Sequence, residues 1–262
     1  KHGMISVIIH EVGHNFFPMI INSDERQWTW MDEGLNTFVQ FLTEKEFDRD
    51  YPARRGSARN IREYMGGDKT RISPIMTNSE SIYQFGNNAY GKPATALNIL
   101  RETVMGRELF DHAFKEYSRR WAFKHPSPAD FFRTMEDASG VDLDWFWRGW
   151  FYTTDHVDIA MEDIKWLQMD SQNPDVEAAF RQAADERTPQ DITQIRNANG
   201  GVSESYLEAD PTLNDYYTTT GKYEVLELDR EDAAEYMEGL SDDDKALLES
   251  LSLIHISEPT RL

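Results

Sequence analysis

A mainly α-helical fold is what this 262-residue sequence predicts, on three observations. His10 and His14 stand four apart in a run from Met4 to Phe17, the spacing that places side chains on one face of a helix. Apolar residues recur with helical period farther on: Ala96, Leu97, Leu100 and Val104, then Leu109, Phe110, Phe114, Tyr117 and Trp121. Start and stop signals bracket those faces. Pro93 suits a first helical turn, Gly106 ends one pattern, Ser127-Pro128-Ala129-Asp130 opens another and Gly140 closes it.

Taken in order, the first helix is expected over Met4 to Phe17. Its flanks, Met4 to Ile9 and Phe16 to Ile21, are apolar enough to predict burial on most sides. Gly13 costs such a helix about 1 kcal/mol relative to alanine, which a close approach by another backbone would explain. Asn22 to Gln27 reads as a polar loop. A second helix is expected from about Asp32, with Phe38, Phe41 and Leu42 on one face and Asn36 and Gln40 near the face of Glu33. The basic stretch Arg54 to Arg62 reads as a short helix with a solvated face, rather than as a grip for a substrate carboxylate. Gly66 to Lys69 breaks it, and Pro74 to Gly86 is loop. After the three helices that follow Tyr90, Asp142 to Trp147 begins another; Trp147, Trp150 and Phe151 read as core packing. His112 and His125 are isolated and are not expected to be ligands.

Composition narrows the classes. With no cysteine, the chain has neither disulfides nor a thiolate ligand or nucleophile. No apolar run reaches the length of a membrane span, and no signal peptide begins the chain. The net charge of −20 is uneven: residues 1–154 hold 21 acidic against 19 basic residues, while 155–250 hold 25 against 7. Such a charge repels phosphates and argues against a nucleic-acid partner. The texture turns polar after Trp166, so 167–222 is expected to be an acidic, poorly ordered linker and 223–250 a helical appendage of a truncated following region. Residues 251–262 resemble a translated sequencing-library adapter and are set aside, His255 with them. Because the chain starts without methionine and only nine residues before His10, 1–166 is expected to be a fragment of a larger lobe.

The chemistry lies in His10-Glu11-Val12-Gly13-His14 and, after a gap of eighteen residues, Glu33. Imidazoles four apart on a helix can hold one Zn²⁺, while Glu11 points beside the metal rather than at it. Three titratable groups in an apolar helix need partners, and a metal supplies them. Glu33, in Trp30-Met31-Asp32-Glu33-Gly34, completes a His₂Glu set with a position left open, as in catalytic zinc sites.

These residues resemble the gluzincin metallopeptidases of the aminopeptidase N type. The resemblance covers roughly residues 1–166 and rests on the H-E-x-x-H, the Glu-Gly pair with Trp30 three residues before the glutamate, and Ala89-Tyr90-Gly91-Lys92-Pro93. It implies a thermolysin-like helical catalytic lobe, one zinc per chain held by His10, His14 and Glu33, a peptide substrate, and Tyr90 as oxyanion donor. It also implies that Gln40 stands where relatives carry a group orienting a zinc histidine; a plain surface amide is the other reading. The sequence departs from the family at Pro18 to Asn22 and at Pro93, where glycine is usual. The family's amine-binding Gly-x-Met-Glu-Asn segment would lie before the first residue.

The expectation is therefore zinc-dependent, aminopeptidase-like hydrolysis of peptide bonds, with Glu11 as general base. Endopeptidase or epoxide-type hydrolysis stays open, as does a non-catalytic zinc-stabilised binding module or a fragment inert without its upstream lobe.

Overall fold

The computed structural model describes residues 2–155, 172–201, 204–215 and 221–252. Every regular element among them is helical, and none is long and apolar enough to cross a membrane. The chain divides into two compact units, Lys1–Asp158 with Asp191–Leu213, and Ile159–Gln190 with Asn214–Leu262.

The first unit opens with α1, His2–Gly13. The predicted helix to Phe17 stops there, because Pro18 lacks an N–H and forces Phe17 into extended backbone (φ −115°, ψ 110°). The predicted burial of α1 is also corrected. None of its residues is buried, and Met4, Val7, Ile8 and Val12 form an exposed apolar stripe. A helix hides only the face its neighbour covers, and here the covered face is the polar one bearing Ser6 and His10. Ser6 Oγ lies 2.9 Å from the Tyr51 hydroxyl, and the His10 carbonyl accepts from Asn36 Nδ2 at 2.8 Å. That amide comes from α2, Leu35–Phe47, which is entered through a wider π-helical turn, Trp30–Gly34.

A short α3, Arg62–Met65, leads through a loop to the π-helical turn Gly86–Gly91 and α4, Lys92–Ile99. α5, Arg107–Trp121, and α6, Pro128–Ser139, pack side by side. The start of α6 is a capping box between Ser127 and Asp130, and Gly140 closes it in the left-handed region at φ 68°. α7, Asp144–Trp147, runs into a last wide turn ending at Tyr152. Of the three aromatics expected in the core, Trp147 and Phe151 are buried and Trp150 packs part-buried against the core cluster, while Trp145 is exposed.

The core is aromatic. Trp30 is fully buried, stacked 5.8 Å from Phe132 and edge-on to Phe131 and Phe151 at 5.7 and 4.8 Å. Deleting one such ring typically costs about 3–5 kcal/mol, against about 1 kcal/mol for one net hydrogen bond. Stability is therefore set beneath the α1–α2 face, not on it.

The expected linker 167–222 carries helices of its own: α8, Pro174–Arg187, in the second unit, and α9, Ile192–Arg196, and α10, Tyr206–Ala209, in the first. Asp191 with Gln194, and Ser205 with Glu208, form capping boxes, a local signal that polarity and charge obscured. The stretch 191–213 is docked by a carboxylate. Glu102 is fully buried and receives Arg107 at 2.8 Å, Arg101 at 3.1 Å, Arg196 at 3.2 Å and the Thr193 hydroxyl at 3.3 Å. Arg107 also reaches Asn197 Oδ1 at 2.9 Å.

In the second unit, α8 is joined to α11, Glu227–Gly239, by Arg230 on Asp175 at 2.9 Å. Lys222 and Tyr223 both donate to Asp185, at 2.5 and 2.6 Å. α12, Asp242–Ser252, follows. Exposed pairs of this kind are screened by solvent and contribute little to stability. The expected boundary at Trp166 and the adapter-like residues from 253 on lie outside the described residues.

Glu102→Ala should cost about 3–5 kcal/mol in urea unfolding followed by tryptophan fluorescence, because it removes the buried acceptor shared by three part-buried arginines and the Thr193 hydroxyl. A loss below about 1 kcal/mol would show that the cluster rearranges without it.

Candidate active site

Three segments build the site. α1 presents His10 and Glu11, and His14 follows one residue past its end. The π-helical turn before α2 presents Glu33, and the one before α4 presents Tyr90. An extra residue in a helical turn re-aims the side chains it carries, which suits such turns to sites.

The three ligand candidates come together. His10 Nε2 lies 3.0 Å and His14 Nε2 3.4 Å from the same oxygen, Glu33 Oε2. One ligating atom from each residue falls within 4.8 Å of the others.

The opposite ring nitrogens fix the tautomers. His10 Nδ1 is 2.9 Å from Gln40 Oε1, and Gln40 Nε2 donates to Glu44 Oε1 at 2.8 Å, so the amide turns its oxygen to the histidine. His14 Nδ1 is 2.8 Å from the Phe17 carbonyl. Both partners are acceptors, so both rings donate from Nδ1. In the neutral rings, two Nε2 lone pairs then face a carboxylate oxygen. Such a trio repels itself unless a proton or cation lies among its members. Two imidazole nitrogens and one carboxylate oxygen, each ring oriented by a carbonyl, fit a zinc-like divalent metal.

The titration behaviour follows the same contacts. The hydrogen bond to Glu33 raises the His10 pKa, with burial opposing and Gln40 adding to it. Burial would raise Glu33, but hydrogen bonds with His10 and Tyr90 and the charge of the histidines hold it below the usual carboxylate value. Asp32 is buried beside them. Desolvation first, then the charge of Glu33, pushes it up to about 8. Its Oδ1 lies 3.1 Å from His14 Nδ1 but receives no hydrogen bond, since that N–H goes to Phe17.

Glu11 is exposed at the edge of a cleft of about 750 Å³, whose lining includes His10, Gln40, Arg55, Phe85 and Tyr90. The Tyr90 ring stacks 5.8 Å from His10, meets Phe85 at 6.1 Å, and lies under the Arg55 guanidinium at 4.4 Å. Burial, then its hydrogen bond with Glu33, pushes the Tyr90 hydroxyl well above the ordinary phenol range. Lys92, two residues on, is buried with its pKa lowered by desolvation to about 8, and donates to the Thr153 carbonyl at 3.3 Å.

Two glycines set the spacing. A Cβ on Gly13 would collide with the Asn36 amide, so the approach expected there comes from a side chain rather than another backbone. A Cβ on Gly34 would lie 2.7 Å from the Pro93 ring, so this proline packs directly on the residue after Glu33.

The basic stretch is the chief departure from expectation. Arg54, Arg59 and Arg62 are exposed as predicted, but Arg55 turns inward over Tyr90. Gly56, at φ 94° against the Phe41 ring, makes the tight turn responsible and was the one local signal of it. Neither Asp32 nor Glu44 was singled out by sequence pattern. His112 and His125 are exposed and far from ligation; His125 Nδ1 lies 3.0 Å from the Asn22 carbonyl oxygen.

Comparison with known proteins adds to this geometry. The model of the Peptidase family M1 domain matches residues 1–150. Glutamyl aminopeptidase of Sus scrofa is 24% identical over 166 residues, covering 61% of this chain and 18% of the relative. Probable aminopeptidase 1 of Sulfurisphaera tokodaii is 23% identical over 181 residues, 64% of this chain and 22% of the relative. Alanine/arginine aminopeptidase of Saccharomyces cerevisiae is 24% identical over 143 residues, 52% and 17% respectively. The chain thus spans about a fifth of the length of these curated relatives. No solved structure matches it significantly. With the family's domain laid over more than half of the chain, including all three converging ligand candidates and Tyr90, the chain belongs to peptidase family M1.

Proposed function

We propose that this chain carries the zinc centre of an aminopeptidase, with His10, His14 and Glu33 as metal ligands. The observation that carries the reading is the meeting of three lone-pair donors, with both histidines held by carbonyl oxygens on their far side. Zinc, when bound, supplies a Lewis acid that polarises the scissile carbonyl and acidifies water.

The chain's own residues do the rest. The Glu11 carboxylate takes the proton of the attacking water and passes it to the leaving nitrogen. Its exposure in the cleft, one residue from His10, supports that role. The Tyr90 hydroxyl, kept protonated by its surroundings, donates a hydrogen bond to the oxyanion. Gln40 holds the His10 ring, and is itself held by the buried Glu44. The aminopeptidase names of the relatives support removal of residues from the amino end of a peptide.

Three measurements test this on zinc-loaded, full-length protein. Glu11→Gln should keep one zinc per chain by atomic absorption yet slow cleavage of aminoacyl anilides by about 10²–10⁴-fold. His10→Ala should lose metal and activity together. Wild-type protein that binds zinc but cleaves no peptide substrate would sink the enzymatic reading.

Tyr90→Phe should leave zinc content unchanged and depress kcat by about 10²–10³-fold, since the oxyanion bond forms only in the transition state. Equal kcat in the two proteins would assign Tyr90 to packing. Gln40→Leu should weaken zinc binding about 10–100-fold in a chelator competition, because His10 loses the partner that orients it.

A further inference from the structure

The cleft holds a cation that the hydrolytic scheme leaves unused. Arg55 lines it together with Arg54, and the Arg55 guanidinium carbon sits 4.4 Å from the centroid of the Tyr90 ring. Elsewhere, arginines withdrawn from solvent have carboxylate partners: Arg101 reaches Asp111 at 2.7 Å, and Arg107 reaches Glu102 at 2.8 Å. Arg55 is, among the described arginines, the one that is part-buried and donates to no acceptor. An aromatic face supplies no lone pair in the directions of its five N–H groups. Burial lowers its pKa, with Tyr90 and Glu33 opposing, and a guanidinium keeps its charge throughout the working range.

A half-desolvated guanidinium without an acceptor, facing a cleft beside the proposed catalytic residues, matches one ligand chemistry. Its parallel N–H groups fit the two oxygens of a carboxylate. A peptide offers that group at its C-terminus or on an Asp or Glu side chain. The stacking on Tyr90 holds the fork in place beforehand, which limits the entropy lost on binding.

We propose that Arg55 is a carboxylate-binding subsite of the cleft, and that the preferred substrates are short peptides whose carboxylate reaches it while the scissile bond lies at His10 and Glu11. The proposal rests on the peptidase reading but is tested apart from it.

Zinc-loaded, full-length protein carrying Glu11→Gln, which binds peptide without turning it over, is titrated calorimetrically with two matched pairs. The first is trialanine as free acid and as C-terminal amide; the second is the amidated tripeptides Ala-Glu-Ala and Ala-Gln-Ala. The charged member of at least one pair should bind about tenfold tighter, as befits one charge-assisted bidentate contact. The pair that discriminates identifies the C-terminus or the side chain as the source. Adding Arg55→Gln should erase the difference. Arg55→Lys, which keeps charge without the fork, should narrow it, and replaces the glutamine variant if that fails to fold. Equal affinities within both pairs overturn the subsite, as does discrimination untouched by either Arg55 variant. Wild-type protein assayed alongside on a neutral alanyl anilide separates the two ideas. Cleavage without carboxylate discrimination removes the subsite alone, whereas discrimination without cleavage removes the peptidase reading alone.

Discussion

How closely α1 lies against α2 decides whether a metal can be held between them. His10 and Glu33 sit on different segments, and their separation is set where Gly13 admits the Asn36 amide. A Cβ at 13 would collide with the Asn36 amide oxygen, so that amide, and with it the hydrogen bond to the His10 carbonyl, would have to shift. Metal–ligand distances tolerate about 0.2 Å. One turn farther along α2, Gln40 meets the far side of the His10 ring, so the same approach that brings the proposed ligands together also orients one of them. The contact is hydrogen-bonded rather than greasy, and this is why the apolar stripe of α1 faces away from it.

The strength that holds this geometry comes from elsewhere. Trp30 lies one helical turn before Glu33 and is locked among Phe131, Phe132 and Phe151. Several aromatic rings, each worth a few kcal/mol, can hold Asp32 buried and Glu33 half-buried, in places that neither carboxylate would choose alone. The raised Asp32 and the lowered Glu33 show how different two adjacent carboxyls become when only one has donors.

Much of this was legible in the chain. The histidine spacing, Glu33 and Tyr90 follow from a local motif, and the helices from Leu35 to Trp147 from apolar periodicity and caps. What escaped depends on partners distant in sequence. Apolar flanks predicted a buried α1, yet hydropathy does not say which face meets a neighbour. Charge predicted that Arg54 to Arg62 faces solvent, yet a single positive-φ glycine turns Arg55 under. Polarity marked 167–222 as linker, whereas Thr193, Arg196 and Asn197 are the polar partners that buried Glu102 and Arg107 need. Periodicity registers apolar burial and is blind to a buried ion cluster.

That cluster changes where the working piece of this chain can be trimmed. The family match ends at residue 150, and a boundary there looks natural on the page. Cutting at that point would discard Thr193, Arg196 and Asn197 and leave Glu102, at the end of the helix that follows Tyr90, open to water. For anyone expressing or recombining this segment, the compact unit that holds the site runs on to Leu213, well beyond the point where the family match ends.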